Sequence, residues 1–357
     1  MVNFVFRVDA SVYIGSGHVM RCLVLAKALK KEGYSILFTC LPQQGDMIDY
    51  IAQQGFDVIS LTPPQSISIP ENTEDYVAWL QRTPLEDASD FLSYVDDADW
   101  VITDHYAIDK QWHKKIRGSL HCQIASIDDL IREHDADVII DQTLNRLAPD
   151  YHSNGLVLAG TQYALLRDEF SNLRKQASKR TSPTTNVKVL VSMGGIDAPN
   201  ATLRSLKALK NQSRLSFTVL LSVRSPHFNA VQQWCSTSKN AEHIAFSSDI
   251  AGLMLEHDVA IGAPGSTSWE RACLGLPSVI IPLAENQTDI CHQLVKSGAS
   301  IKVELETIEK ELAPAVENLI DNWDKYSKNN FFLCDGLGTR RVVEKINGIN
   351  NEYNATL

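Results

Sequence analysis

The stretch Ile14–Arg21 reads IGSGHVMR and follows the apolar run VNFVFRVDA. Gly15 and Gly17 let the backbone turn tightly and come close to a ligand, and a helix starting there offers unpaired N–H groups and a partial positive charge to an anion. In a Walker loop the second glycine is followed by lysine and then Ser or Thr, but here His18 follows Gly17, and the spacing also fails the G-x-G-x-x-G dinucleotide pattern. Hydrolysis at a γ-phosphate and dinucleotide binding both lose support. At a first helical turn the macrodipole disfavours an imidazolium, so a neutral His18 there can accept a proton from water. The competing reading is a histidine that only caps the strand-to-helix turn.

A second candidate site lies in APGSTSWERACLG. Thr267 and Glu270 match the capping box T-x-x-E, a purely structural role. Alternatively, Gly265, Ser266 and Thr267 present amides to a diphosphate while the Glu270 carboxylate accepts two hydrogen bonds from a ribose diol. Gly194 and Gly195, in SMGG (192–195), suit the same phosphates or serve chain geometry alone. Arg224 is placed to neutralise phosphate or is a solvated charge. Asp104, His105 and Tyr106 in TDHYAID, Asn286 in ENQTD and Asp9 in RVDAS follow expected strands. There they are either turn residues or a set that orients a polar sugar. The pair Asp128 and Asp129 has no histidine at ligand spacing, so neither a metal nor another cofactor is expected.

Positioning these residues requires parallel α/β architecture, because short β-rich runs alternate with helical patterns along the chain. The strand NFVFRV leads through the glycine turn to HVMRCLVLAKALKKEG, whose Cys22, Leu25, Ala26 and Leu29 form an apolar stripe opposite Lys27, Lys30 and Lys31. SILFTC, DVISLT, DWVITD, QIASID and DVIID read as further buried strands. Residues 172–186 are polar and aperiodic, which marks a linker. VKVLVS then opens a second series that also runs from strand to glycine turn to helix. The expectation is two Rossmann-like, doubly wound parallel-sheet domains facing across a cleft, with ligands at the carboxyl ends of the strands. The expected boundaries are 1–171 for the catalytic loop and sugar side, 187–325 for nucleotide binding, and 326–357 for a tail or helix. The segment PPQSISIPENTE reads as a surface loop.

With 357 residues, 44% of them hydrophobic, the chain has material for two cores. A formal net charge of -10 argues against wrapping nucleic acid or binding an anionic membrane surface. The N-terminus lacks a basic region ahead of an apolar core, and no run approaches the roughly 18 apolar residues of a membrane span. The seven cysteines are scattered with no CxxC pair, which suits reduced core residues in a cytoplasmic protein. The oligomeric state is left open.

Taken in order, RVDAS, IGSGHVMRCLVLAKAL, CLPQQGDMID, DHYAID, SIDD, ALLRDEF, SMGGID, PGSTSWERACLG, ENQ and DGLGTRRV resemble the PseG-type UDP-sugar hydrolases of the pseudaminic acid pathway, relatives of MurG-like glycosyltransferases of the GT-B fold. The resemblance runs from residue 7 to about residue 343. It implies metal-independent release of UDP from a UDP-2,4-diacetamido-2,4,6-trideoxy-β-L-altropyranose by water, with inversion at the anomeric carbon. It implies His18 as general base, Tyr106 and Asn286 in the sugar pocket with Asp9 beside them, and Glu270 as ribose ligand. Gly15, Gly17, Arg21, Gly194, Gly195, Arg224, Gly265, Ser266 and Thr267 join the substrate contacts. The excursion near residues 62–90 is longer than compact members carry. A GT-B glycosyltransferase with an acceptor hydroxyl in place of water, and a non-catalytic UDP-sugar-binding module that would not need His18, are the alternatives.

Overall fold

Residues 2–72 and 74–356 are described by a computed structural model. The first sheet contains β1 (Asn3–Val8), β2 (Ser35–Cys40), β3 (Asp57–Ser60), β4 (Trp100–Asp104), β5 (Gln123–Ile127), β6 (Val138–Asp141) and β7 (Leu156–Ala159). Its order is β3-β2-β1-β4-β5-β6-β7, with every pairing parallel. The second sheet contains β8 (Val187–Ser192), β9 (Leu215–Leu220), β10 (Ala241–Ile244), β11 (Val259–Gly262), β12 (Ser278–Ile280) and β13 (Ser300–Lys302). Its order, β10-β9-β8-β11-β12-β13, repeats the same winding in parallel. Both are doubly wound α/β sheets, as the alternation of patterns requires. Because helices cover both faces, strands such as β4 are buried throughout and read as unbroken apolar runs.

The chain divides into two compact units: residues up to Leu166 together with the stretch from Leu337 onward, and Arg167–Gly336. Two expectations change here. The region read as a linker begins inside the helix Asp168–Ala177, which buries Phe170 and Ala177. Its polar character misled because Arg174 packs by donating to the carbonyls of Cys273, Phe331 and Cys334 rather than through an apolar stripe. The C-terminal stretch is likewise no separate tail. Helix Gly338–Thr356 joins the first unit, with Val342, Val343 and Ile346 in its core, each such burial contributing about 1.5–3 kcal/mol. The indole of Trp100 and the hydroxyl of Tyr34 donate to Asn350 and Asn347 on that helix.

The excursion is more ordered than the expected surface loop. It carries the helices Tyr76–Leu80 and Pro84–Leu92. The second is started by a reciprocal capping box between Thr83 and Glu86, with proline in the first turn. All seven cysteines are buried and unpaired with one another. Among the described residues, no helix is long and apolar enough to cross a membrane.

Candidate active site

In each sheet the strand order reverses between two neighbours, β1 and β4 in the first and β8 and β11 in the second, and ligands of doubly wound folds bind at the carboxyl ends around such a switch point. The candidate residues collect there. After β1 the chain passes Asp9 and turns at Gly15, whose φ of +77° lies in the left-handed region that glycine adopts without a Cβ penalty. Ser11 organises the turn: its carbonyl accepts from the Gly15 amide at 3.0 Å and its hydroxyl from the amides of Tyr13 and Ile14. Helix Gly17–Lys31 follows, with no side-chain cap and no acidic residue in its first turn. Its first amides therefore have no side-chain acceptor.

His18 does not cap this helix. Its Nδ1 lies 2.5 Å from Oδ1 of Asp104 at the end of β4, and the ring is 8% exposed. Arg21, one turn along, grips the same carboxylate through Nε at 2.6 Å and a terminal nitrogen at 2.7 Å, and its other terminal nitrogen donates to Asp129 at 3.0 Å. Burial by itself would raise the Asp104 carboxyl, but Arg21 and His18 hold it well below the usual carboxylate range. Asp104 is therefore a permanent anion at Nδ1, which fixes the proton there and leaves Nε2 as the acceptor nitrogen. Arg21 is thus corrected from substrate contact to the clamp that orients Asp104.

Asp9 is corrected too. It is 1% exposed, and both oxygens are taken by Arg7, at 2.6 and 2.9 Å, and by the Leu41 amide at 2.7 Å. Arg7 in turn reaches Asp87, to which the Trp112 indole also donates. A carboxylate buried this deeply needs a paired cation, and supplying one withdraws Asp9 from the rim. His105, whose Nε2 lies 3.8 Å from Asp9, is held down to about 4 by burial and is neutral at pH 7. Tyr106 remains at the site, its ring edge-on to His18 at 4.7 Å. Burial and the neighbouring Asp129 raise its phenol well above the ordinary value, so the hydroxyl stays a neutral donor. Arg132 fixes its backbone by donating to the carbonyls of Tyr106 and Ile108 and lies over its ring. Arg132 is itself held by Asp128, which also meets His134 at 3.2 Å.

In the second unit, Gly194 (φ +89°) and half-buried Gly195 follow β8, and Arg224 is half-buried in the turn after β9. The Gly265 amide donates to Ser268 Oγ at 3.2 Å, and among the described residues the amides of Ser266 and Thr267 have no acceptor. The capping-box alternative fails. Ser266, not Thr267, sits at the N-cap of helix Thr267–Cys273 and makes no side-chain cap, while the Thr267 hydroxyl faces Arg271. Among the described residues, the Glu270 carboxylate has no hydrogen-bonded partner. Burial raises it to about 7 against the opposing fields of Arg167 and Arg271. Arg271, 3% exposed, spans Ala263 O, Ser268 Oγ and Thr267 Oγ1 and is lowered to about 10 by burial. Asp197 accepts the amides of Ala201 and Thr202 and so pins the loop after Gly195 to the next helix. Asn286 belongs to the short 3-10 turn Glu285–Gln287, and its side chain lies outside the described residues.

Residues 186–331 match the family model described as the glycosyltransferase family 28 C-terminal domain. The full length resembles solved glycosyltransferases: MurG of Acinetobacter baumannii, at TM-score 0.66 and 16% identity over 98% of this chain and 100% of that one, and the calicheamicin glycosyltransferase CalG4, at 0.68 and 12% over 98% of both. The chain has the GT-B fold. In sequence it is 26% identical, over 84% of its length and 99% of the relative's, to the UDP-2,4-diacetamido-2,4,6-trideoxy-β-L-altropyranose hydrolase of Campylobacter jejuni. The resemblance read from the motifs holds.

Within this GT-B frame, the contacts of three residues are not legible in the sequence. Asp104 stood among rim residues, but its pairing with His18 spans 86 positions and has no local signature. Asp129 reads from sequence as half of an acidic pair but accepts from Arg21, and Arg132 carries no sequence signal for its bonds under Tyr106. Their place is at the end of β4 for Asp104 and after β5 for Asp129 and Arg132, strands that the parallel order makes neighbours.

Proposed function

We propose that this GT-B protein hydrolyses a UDP-linked amino sugar, taken to be a UDP-2,4-diacetamido-2,4,6-trideoxy-altropyranose, at the anomeric carbon. One observation carries the reading: His18 Nδ1 is committed to an ionised, doubly clamped Asp104, which turns Nε2 into a base at the switch point of the first sheet. The hydrolase named above, alignable over nearly its whole length, supports the same reaction. In this mechanism Nε2 removes a proton from water as the oxygen attacks the anomeric carbon. The bond from that carbon to the diphosphate oxygen breaks, and its electron pair leaves with UDP. Asp104 stabilises the imidazolium that forms, and the anomeric configuration inverts. Tyr106 and Asn286 contact the sugar. Gly194, Gly195, Ser266, Thr267 and Arg224 are assigned to the diphosphate, and Glu270 to the ribose diol. Held by fixed amides, UDP is a good leaving group without a strong acid.

The glycosyltransferase description of the matched domain favours a second reading, in which the same base deprotonates an acceptor hydroxyl. UDP release measured with no acceptor separates the two. Steady release from the diacetamido sugar nucleotide is the expected result, and release that waits for an added alcohol acceptor would favour transfer. In ¹⁸O-water a single turnover should put the label on the sugar and none in UDP. His18→Asn should keep UDP affinity while turnover falls roughly 10² to 10⁴-fold, and near-normal turnover would remove the base assignment.

A further inference from the structure

The excursion between β3 and β4 has no part in the mechanism above, yet it packs two aromatic rings against Tyr106, the ring that meets His18. Tyr76 lies 5.0 Å from the ring of Tyr106 and 4.9 Å from Trp79, and Trp79 lies 5.8 Å from Tyr106, which itself meets His18 edge-on at 4.7 Å. Trp79, Tyr106 and His18 are 6%, 8% and 8% exposed, whereas Tyr76 is only half-buried. Tyr76 therefore has more of its surface open than the other three rings of the wall. Burial raises its phenol, with Glu74 and Asp129 adding to the effect, so its hydroxyl remains protonated and uncharged.

The segment holding this ring is built to stay in place. Asp75 accepts from the amides of Glu71 and Ala78 at the start of helix Tyr76–Leu80. Gln81, left-handed at φ 63°, closes the other end by donating to the carbonyls of Ala78 and Ser68 and accepting from the Ser68 amide. The backbone of Trp79 is tied to the body of the unit through Gln43, and Arg82 reaches Thr62 O and Asp90. These bonds hold the aromatic face at a fixed position.

An aromatic wall rewards apolar substituents and gives a hydroxyl-rich face nothing in return for lost hydration. We infer that Tyr76 selects the sugar: its ring packs against the methyl-bearing face of an N-acylated deoxy sugar, with Tyr106 and His18 behind it. The inference deepens the hydrolase reading and rests on it.

The test measures kcat/KM for the UDP-diacetamido-trideoxy sugar, together with inhibition constants for UDP and for UDP-N-acetylglucosamine, which carries hydroxyls at C4 and C6. In Tyr76→Ala, kcat/KM for the diacetamido substrate should fall roughly tenfold or more, the scale of apolar contacts in a pocket, while both inhibition constants stay within about twofold. Tyr76→Phe should retain wild-type selectivity because the ring remains. Tyr76→Leu keeps apolar bulk under the excursion, and should show the same selective loss if the alanine variant does not fold. Unchanged kcat/KM in the Ala and Leu variants, or an equal loss for all three ligands, overturns the inference while the hydrolase reading stands. A wild-type protein that releases no UDP from the sugar nucleotide removes that reading and this inference with it.

Discussion

The two switch points use opposite electrostatics. At the first, the buried ion pairs among the described residues are closed inside the protein: Arg7 with Asp9 and Asp87, Asp104 with Arg21 and His18, Asp128 with Arg132 and His134. At the second, among the described residues, Glu270 has no hydrogen-bonded partner, Arg271 bonds only neutral oxygens, and two turn amides have no acceptor. Internally closed networks fix a geometry before any ligand arrives, which is what a base needs to act on water. Unanswered groups keep their hydrogen-bonding capacity for something else.

Removing the anion behind His18 should do the most damage. Asp104→Asn leaves the imidazole without a fixed tautomer and frees one end of Arg21, so turnover should fall roughly 10³-fold with UDP affinity little changed. Loss of UDP affinity in step with turnover would erase the division between the units. Next in size is Arg7→Met, which leaves Asp9 and Asp87 buried without their cation. Chemical denaturation should report a loss of about 3–5 kcal/mol, and a near-neutral result would mean the network does not support the first unit's geometry.

A smaller effect should come from Glu270. Its carboxyl, usually near 4.5, is raised to about 7, so the ionised form that would accept a ribose diol dominates only above that pH. The ratio of wild-type to Glu270→Gln affinity for UDP should therefore climb as pH rises through 7, by up to about tenfold per unit below it, and then level off. A flat ratio would sever Glu270 from the ribose. The linkage to stability has the opposite sense. With the folded value above the unfolded one, the native state binds the extra proton between about 4.5 and 7, and that contribution is lost as pH rises. Glu270→Gln should thus raise Tm at pH 8 and leave it nearly unchanged at pH 5.

Local sequence determined the doubly wound fold, the two glycine turns and the position of His18 at a helix start, because strand burial, turn conformation and helix onset are set by residues a few positions apart. TPLE even spells the capping box that opens the second excursion helix. The same local pattern suggests a capping box at Thr267, where the hydroxyl instead meets Arg271 one turn along, and a linker where Arg174 packs a helix through a carbonyl 99 positions away. Tertiary structure decided what the charges do. Asp9 and Asp104 are both aspartates at strand ends, yet one is locked to Arg7 and the other holds His18. The strand order brings β4 against β1, and with it Asp104 to His18 and Arg21, and a carboxylate's role follows from the cation it meets at close range in a poorly solvated place. No periodicity in the chain encodes that meeting.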